Sequence, residues 1–354
     1  MPHGLAVWSF TRFMVRVGIN GFGIIGRAFF RAVERDVRDG FLSQGKVEVV
    51  AVNDVFPALQ LAHLLSHNSV YGAFNERVGV IGNNLVVNDR MIDCSMEKDT
   101  FRLKWADRGV DVVYDSSGVF SDDERGLKGH LDAGAKKVVV SSPSKFAEKT
   151  IVMGVNDSSY NGEKVISNAS CTTNCLAPLA LALYNSFGPF DGIMTTVHAY
   201  TQDQRLQDAP HKDVARAYNA VLNIVPTSTG AAKAIGEVIP QLKGKLDGIA
   251  VRVPVAAGSL VDLVVSFENK VERKREDVNS LLRDIANGYL KGTLGYNEGP
   301  LVSSMILGER IPSVVDGSQT RVVGNNLKVI SWYDNVMGYS HQAVKLIKKI
   351  GESL

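Results

Sequence analysis

Met14-Val-Arg-Val-Gly-Ile-Asn-Gly21-Phe-Gly23-Ile-Ile-Gly26 is the stretch that decides the fold. Its first seven residues read as a short apolar strand, and three glycines at fixed spacing follow at once. A helical pattern comes next, with Ala28, Phe29, Ala32 and Val33 on one side. Val47-Glu-Val-Val-Ala-Val-Asn53 is a second buried strand, and it runs into Asp54. Strand, glycines, helix, strand and acid in that order make the βαβ unit that binds dinucleotides. A glycine motif alone carries little weight in a chain with 33 glycines; its place between a strand and a helix gives it meaning. Gly21 allows the tight turn, Gly23 lets backbone approach a pyrophosphate, and Gly26 lets helix pack close to strand. Phe22, Ile24 and Ile25 complete the loop, whose N–H groups at the helix start face the diphosphate. Asp54 follows Gly26 by 28 positions, more than the roughly 20 of the standard unit, and the polar stretch 38–45 supplies the excess. An acid at that strand end accepts ribose hydroxyls and repels a 2′-phosphate, which favours NAD over NADP. The plainer role for Asp54 is to end the strand as a turn residue.

Working outward, strands are predicted at 110–114 and 137–141, with a helix over 124–133 between them. This alternation predicts a mostly parallel sheet covered by helices on both faces. Ser117, Gly118 and Ser141 fall at strand ends, where a cofactor lies in such sheets. The texture changes after Cys171. Alternating runs at 192–200, 248–255, 259–267 and 321–333 suit an antiparallel sheet with one wet face. Helices are predicted over 229–239 and 338–350. The connection 201–226 is long for a compact domain, and such loops usually serve function. The expected architecture is an α/β Rossmann domain over 14–170, completed by a C-terminal helix at 335–354. An α+β catalytic domain with a mixed, mainly antiparallel sheet occupies 171–334. Residues 1–13 lack the continuous apolar segment of a secretory signal. With Met14 directly before the first strand, they are expected to be a disordered extension or a misplaced start.

The totals exclude more than they reveal. A chain of 354 residues with 39 basic and 37 acidic side chains gives no ground for nucleic acid or membrane as a partner. Its short basic run at 270–275 is a solvated turn. Three cysteines, Cys94, Cys171 and Cys175, do not make a disulfide framework. They predict a reducing compartment, the cytoplasm.

Chemistry concentrates in Ser167-Asn-Ala-Ser-Cys171-Thr-Thr-Asn-Cys175, which ends a strand and opens a helix. A thiol at a helix N-terminus feels the positive end of the macrodipole, which favours thiolate. Cys175 lies one turn on and reads as structural, or as a partner for an oxidative disulfide. Pro178 implies a short first turn or a kink. No CxxC pair or histidine pair has metal-ligand spacing, so no metal is expected.

Along nearly its whole length the chain resembles the glyceraldehyde-3-phosphate dehydrogenases. The match rests on Gly18-Ile-Asn-Gly-Phe-Gly, Ala51-Val-Asn-Asp54, the nonapeptide around Cys171, Thr196-Val-His-Ala-Tyr-Thr201, Pro226-Thr-Ser-Thr-Gly-Ala-Ala-Lys233, Gly244-Lys-Leu-Asp-Gly-Ile-Ala-Val-Arg-Val-Pro254 and Ser331-Trp-Tyr-Asp-Asn335. The resemblance implies that Cys171 attacks the aldehyde and that His198 is its base. It implies that hydride passes to NAD and that inorganic phosphate cleaves the resulting thioester. Arg252, Thr201 and Arg216 would hold the phosphate of glyceraldehyde 3-phosphate. Ser170, Thr172, Thr229 and the Gly230 backbone would hold the attacking phosphate, and Asn335 would bond the nicotinamide carboxamide. A homotetramer, with loop 201–226 against a neighbour, is implied in the same way.

The sequence also departs from the family pattern. Ile24 stands where an arginine is usual, Lys98 where an arginine often meets the adenine, and Val336-Met337 where a Glu-containing pair is usual. Weaker or altered NAD binding is expected, along with a more apolar edge beside the nicotinamide. Two readings compete with the main one. A relative could act on another phosphorylated aldehyde, such as erythrose 4-phosphate. A non-catalytic NAD-binding protein on this scaffold would have no need of Cys171 and His198.

Overall fold

The computed structural model describes residues 14–43, 46–269 and 274–354. The expected extension at 1–13 and most of the basic run at 270–275 therefore lie outside the described residues. In chain order the first half contains β1 (Val15–Asn20), α1 (Ile24–Arg38), β2 (Val47–Asn53) and α2 (Ala58–Ser66). A small hairpin, β3 (His67–Asn68) and β4 (Gly72–Ala73), precedes a meander of β5 (Val78–Ile81), β6 (Asn84–Val87) and β7 (Arg90–Ser95). There follow β8 (Val112–Asp115), α3 (Glu124–Asp132), β9 (Lys137–Val140), β10 (Lys149–Thr150) and β11 (Val165–Ser167).

These strands form one sheet in the order β10-β11-β9-β8-β1-β2-β7-β6-β5. Pairing is parallel from β10 to β7 and antiparallel across the β7-β6-β5 meander. The chain order reverses beside β1, and β1 and β8 open the crevice where such sheets bind ligands. Side chains alternate across the sheet as strand geometry demands. Val112 and Tyr114 join the core built on α1, whereas Val113 packs on the other face with Trp105 and Ala133.

The second half begins with α4 (Cys171–Phe187), β12 (Phe190–Ala199), β13 (Val225–Ser228), α5 (Ala231–Val238), β14 (Leu246–Val253) and β15 (Ser259–Phe267). It continues with α6 (Arg275–Asn287), β16 (Leu294–Asn297), β17 (Ser313–Asp316), β18 (Arg321–Val323), β19 (Asn326–Tyr333) and α7 (Met337–Gly351). The order is β13-β14-β12-β15-β19-β17-β16, with β18 paired to β19. Two of these pairings are parallel, β12 with β14 and β16 with β17, and the others are antiparallel. The sheet is mixed, as expected. Its helix α4 is buried over most of its length from Thr172 to Leu183, which fits its near-continuous apolar run. Helix α7 returns to the first half, where Ala343, Val344, Leu346 and Ile347 enter the core with β1 and α1.

One local expectation is corrected. The run 321–333 is not one strand, because Gly324 at φ +58° turns it into the β18-β19 hairpin. Pro178 lies inside α4, which continues to Phe187. Its ring forfeits only the bond that a backbone N–H would make to the Asn174 carbonyl, and the buried apolar flanks of the helix hold it in place.

Where β1 and β8 end, Asp115 forms a buried polar knot. It accepts from Asn20 Nδ2 and His130 Nε2, both at 2.9 Å, and from the Ser117 hydroxyl at 2.8 Å. Although burial pushes its pKa up, His130, Asn20 and Ser117 together hold it below the ordinary aspartate value. Trp105 Nε1 donates to His130 Nδ1 at 3.1 Å, which leaves the ring proton on Nε2 for Asp115. Asp115→Ala should cost about 3 kcal/mol in denaturant unfolding, since it strands these buried donors. A depressed native pKa stabilises the fold above the unfolded carboxyl value and loses that contribution as pH falls through it. The native protein should therefore lose stability below about pH 4 more steeply than the variant. Equal acid dependence of the two would contradict this role.

Candidate active site

The glycine loop is fixed by contacts rather than by composition. Gly21 has φ +86°, and a Cβ there would sit 2.5 Å from the Ser117 backbone. A Cβ on Gly26 would meet the Gly21 carbonyl at 2.3 Å, so α1 can press against the loop only with glycine at that position. A Cβ on Gly23 would meet nothing within 4 Å. It faces open space at the start of α1, whose first N–H groups take no side-chain cap. That arrangement suits an anion held by backbone. Asp54 Oδ2 accepts from the Phe22 N–H at 2.6 Å and Oδ1 from the Phe56 N–H at 3.2 Å. The acid thus braces the loop as well as ending β2. Phe22 offers only its backbone, since its fully buried ring meets Phe30 edge-to-face.

One expectation about the departures changes here. Val336 and Met337 lie inside the amino-terminal core, 5% and 4% exposed, and form no apolar rim. Ile24 and Ile25 are half-buried at the start of α1 and pack against that core. Val336→Glu would bury a carboxylate, so it measures stability as much as cofactor affinity. Lys98 is exposed beyond the end of β7. Ser117 and Ser141 lie beside the crevice and half-buried, and Gly118 is exposed at φ +71°. Asn335 is 6% exposed, and its Oδ1 accepts from Gly258 N–H at 3.0 Å and the Ser259 hydroxyl at 3.2 Å. Both bonds engage the oxygen and leave its amide donor for a ligand.

At the end of β11, Ala169 takes φ +56°, a left-handed turn that swings the chain into α4. Ser170 caps the helix, its hydroxyl accepting from Thr173 N–H at 3.0 Å, and Cys171 is the first helical residue. His198 lies near the end of β12, directly across the parallel register from Arg252 on β14. Cys171 Sγ and His198 Nε2 are 3.4 Å apart. Arg252 Nη1 stands 2.7 Å from His198 Nδ1, which is itself 2.6 Å from the Ala199 carbonyl. No single tautomer satisfies all three atoms. If Arg252 donates to Nδ1, the ring proton faces sulfur; if Nδ1 donates to Ala199, a lone pair faces sulfur.

Burial pulls the His198 pKa down to about 3, helped by Arg252, so the ring is neutral at neutral pH. Burial also pushes the Cys171 thiol up, against the opposing pull of Arg252 and Thr172. The helix start favours the thiolate, and burial works against it.

The other candidates divide into two groups. Arg252 Nε is buried with no partner, a donor set for an anion. Thr201 is tied through its N–H to Gln204 Oε1 at 3.4 Å, and Gln204 Nε2 is likewise buried and unpartnered. Thr229 and Gly230 open α5, with Thr229 Oγ1 accepting from Ala231 N–H at 3.2 Å. Arg216, by contrast, is already paired with Asp203 and donates from Nε to Thr227 Oγ1 at 2.9 Å. The Thr172 hydroxyl is also committed. It bonds the buried Tyr333 hydroxyl at 2.8 Å, which in turn bonds Thr196 Oγ1 at 2.8 Å. Tyr333, Ser259 and Gln204 escaped the sequence reading. Only Tyr333 left a trace there, as part of the 331–335 block.

Known proteins show the same pattern. Residues 15–123 match the model of the glyceraldehyde 3-phosphate dehydrogenase NAD binding domain, and residues 170–335 match that of the C-terminal domain. The chain is 49% identical to the glyceraldehyde-3-phosphate dehydrogenase of Mycolicibacterium smegmatis over 96% of its length and 99% of the relative's. It is 51% identical to glyceraldehyde-3-phosphate dehydrogenase 1 of Bacillus subtilis, covering 96% and 98% of the two chains. The Geobacillus stearothermophilus enzyme is 52% identical, with 94% and 97% covered.

Arg252 is the cation nearest the pair, and its loss should move the thiol. In Arg252→Leu, the pH profile of iodoacetamide alkylation at Cys171 should shift upward, because the thiolate loses its neighbouring charge. An unmoved profile would remove Arg252 from the electrostatics of the thiol.

Proposed function

The chain belongs to the glyceraldehyde-3-phosphate dehydrogenase family, and from that premise we propose how its residues carry the family's chemistry. The protein is an NAD-dependent oxidoreductase that acts on the aldehyde of glyceraldehyde 3-phosphate, an activity of glycolysis. The observation that carries the mechanism is the 3.4 Å approach of Cys171 Sγ to His198 Nε2.

When the phosphate of the substrate takes the Arg252 guanidinium, His198 Nδ1 is free to donate to Ala199. Nε2 then carries the lone pair, takes the thiol proton as sulfur adds to the aldehyde carbon, and hands it to the carbonyl oxygen to give the hemithioacetal hydroxyl. The hemithioacetal hydroxyl returns a proton to His198 as its carbon gives up a hydride and becomes a thioester. NAD, when bound, would supply the acceptor for that hydride. The residues present fit the cofactor: the open face at Gly23, the uncapped start of α1, Asp54 and the free amide of Asn335. Inorganic phosphate, held by Ser170, Thr229 and the Gly230 N–H, attacks the thioester carbon. The C–S bond breaks, the acyl phosphate leaves, and the cysteine sulfur is restored. Arg216 and Thr172 act from behind, the first through its ion pair with Asp203 and the second through Tyr333.

The two largest hydrophobic clusters, one built on α1 and α7 and the other on α4 and α5, support the division into a cofactor-binding part, 14–170 with 335–354, and a catalytic part, 171–334. The segment 201–226 exposes Leu206, Val214, Leu222 and Ile224, each at least 67% accessible. So many apolar side chains on one loop support burial against another copy, in a homotetramer. No helix among the described residues is long and apolar enough to cross a membrane, and we place the enzyme in the cytoplasm on its unpaired thiols.

NADH release from glyceraldehyde 3-phosphate should require inorganic phosphate for turnover and vanish in Cys171→Ser. His198→Asn should slow it by about 10²- to 10⁴-fold. Turnover without phosphate would refute acyl-phosphate formation, and activity in Cys171→Ser would refute the covalent route. Faster turnover of erythrose 4-phosphate would reassign the substrate.

A further inference from the structure

A cavity of about 920 Å³ lies between the end of α1, the turn after α6, the segment 308–311 and α7. It shares no residue with the catalytic cleft. Seven basic side chains and four carboxylates line it, an excess of three positive charges on a chain whose total is only +2.

Most of the acids are already answered. Asp36 accepts from Arg310 Nε and His341 Nδ1, each at 3.0 Å, and Asp157 pairs with Lys349 at 3.0 Å. Glu309 Oε1 accepts from the backbone N–H groups of Arg310 and Ile311. The lysines are less well served. Lys345 Nζ donates to the Gly292 carbonyl at 2.8 Å, while the ammonium groups of Lys291 and Lys348 have no partner among the described residues. His341 is fully buried, and its Nε2 has no partner. Burial keeps this ring below its ordinary pKa, with Arg310 and Arg35 adding to the effect against Asp36. At neutral pH its one proton is spent on Asp36, so Nε2 is a buried acceptor lacking a donor. Such groups are rare in folded proteins and invite a ligand or an ordered water.

We propose that this cavity is a second ligand site, taking a small phosphate ester that carries hydroxyl groups. Lys291, Lys345 and Lys348 hold the phosphates as point charges, and His341 Nε2 accepts from a hydroxyl. Leu42, Leu294 and Val344 form its apolar floor. The volume is that of a small-molecule pocket. If the cavity were only a solvated seam behind α7, its free lysines would bind nothing in particular.

The test uses the intact protein, saturated with NAD and alkylated at Cys171, at fixed ionic strength. Fructose 1,6-bisphosphate is titrated calorimetrically into the native chain and into the Lys291→Ala/Lys348→Ala double variant. Native protein should bind it, and loss of two phosphate contacts should weaken that binding about tenfold. Lys345→Met, which keeps the side-chain stem, should act in the same direction. Without the probe, the unalkylated double variant should keep native kcat and KM, which separates this site from the catalytic phosphate pockets. No binding to the native protein, or equal affinity in native and double variant, would overturn the proposal.

Discussion

One buried hydroxyl holds the reacting groups in relation to each other. Tyr333 Oη bonds both Thr172 and Thr196, and so ties α4, β12 and β19 at a single point. Each of these residues stands beside one that the chemistry needs: Thr172 next to Cys171, Thr196 two before His198, and Tyr333 two before Asn335. Thr196 and His198 share a face of β12, since a spacing of two on a strand keeps residues on the same side, whereas Asn335 lies in the turn after β19. A displacement at Tyr333 is therefore carried to the segments that bear the thiol and the base. Burial drives the phenol pKa well above its ordinary value, so the hydroxyl stays protonated and able to serve both threonines. Reacting atoms must be placed to within a fraction of an ångström, and a fixed internal pin supplies such placement where mobile loops do not.

What the sequence made legible follows from how local its signals are. The glycine loop, Asp54 and the first strands are contiguous, and each glycine has a steric reason that shows in the spacing alone. The alternating runs of the second half marked β12, β14 and β15, and the run 321–333 marked β19 but hid the turn that Gly324 and Asn325 carry; β13, β16 and β17, of 4 residues each, left no run to read. Orientation was less legible. Nothing in Ser-Cys-Thr-Thr says that Thr172 turns inward while Ser170 caps the helix, because that depends on β19, more than 150 residues away. Val336 and Met337 looked like features of the cofactor edge for the same reason, and packing places them in the core.

Burial and helix placement pull the reactive cysteine in opposite directions. Helix placement favours the thiolate by at most about a kcal/mol or two, while burial acts on both thiol and imidazole to keep them neutral. Arg252 bonds the base, bears on the thiol through its charge and has an unsatisfied Nε. One side chain can thus couple arrival of an anion to a change in the tautomer of the base.

The bond from Asp54 to the Phe22 N–H has a bearing on engineering. A designer seeking to switch the protein to a coenzyme with an extra phosphate would begin by neutralising Asp54 to relieve repulsion. That same change removes the acceptor that holds the glycine loop in shape. On the role proposed for Asp54 at the cofactor, coenzyme preference and loop rigidity are vested in one side chain. A successful redesign would have to furnish a replacement acceptor for the Phe22 amide along with a new positive charge.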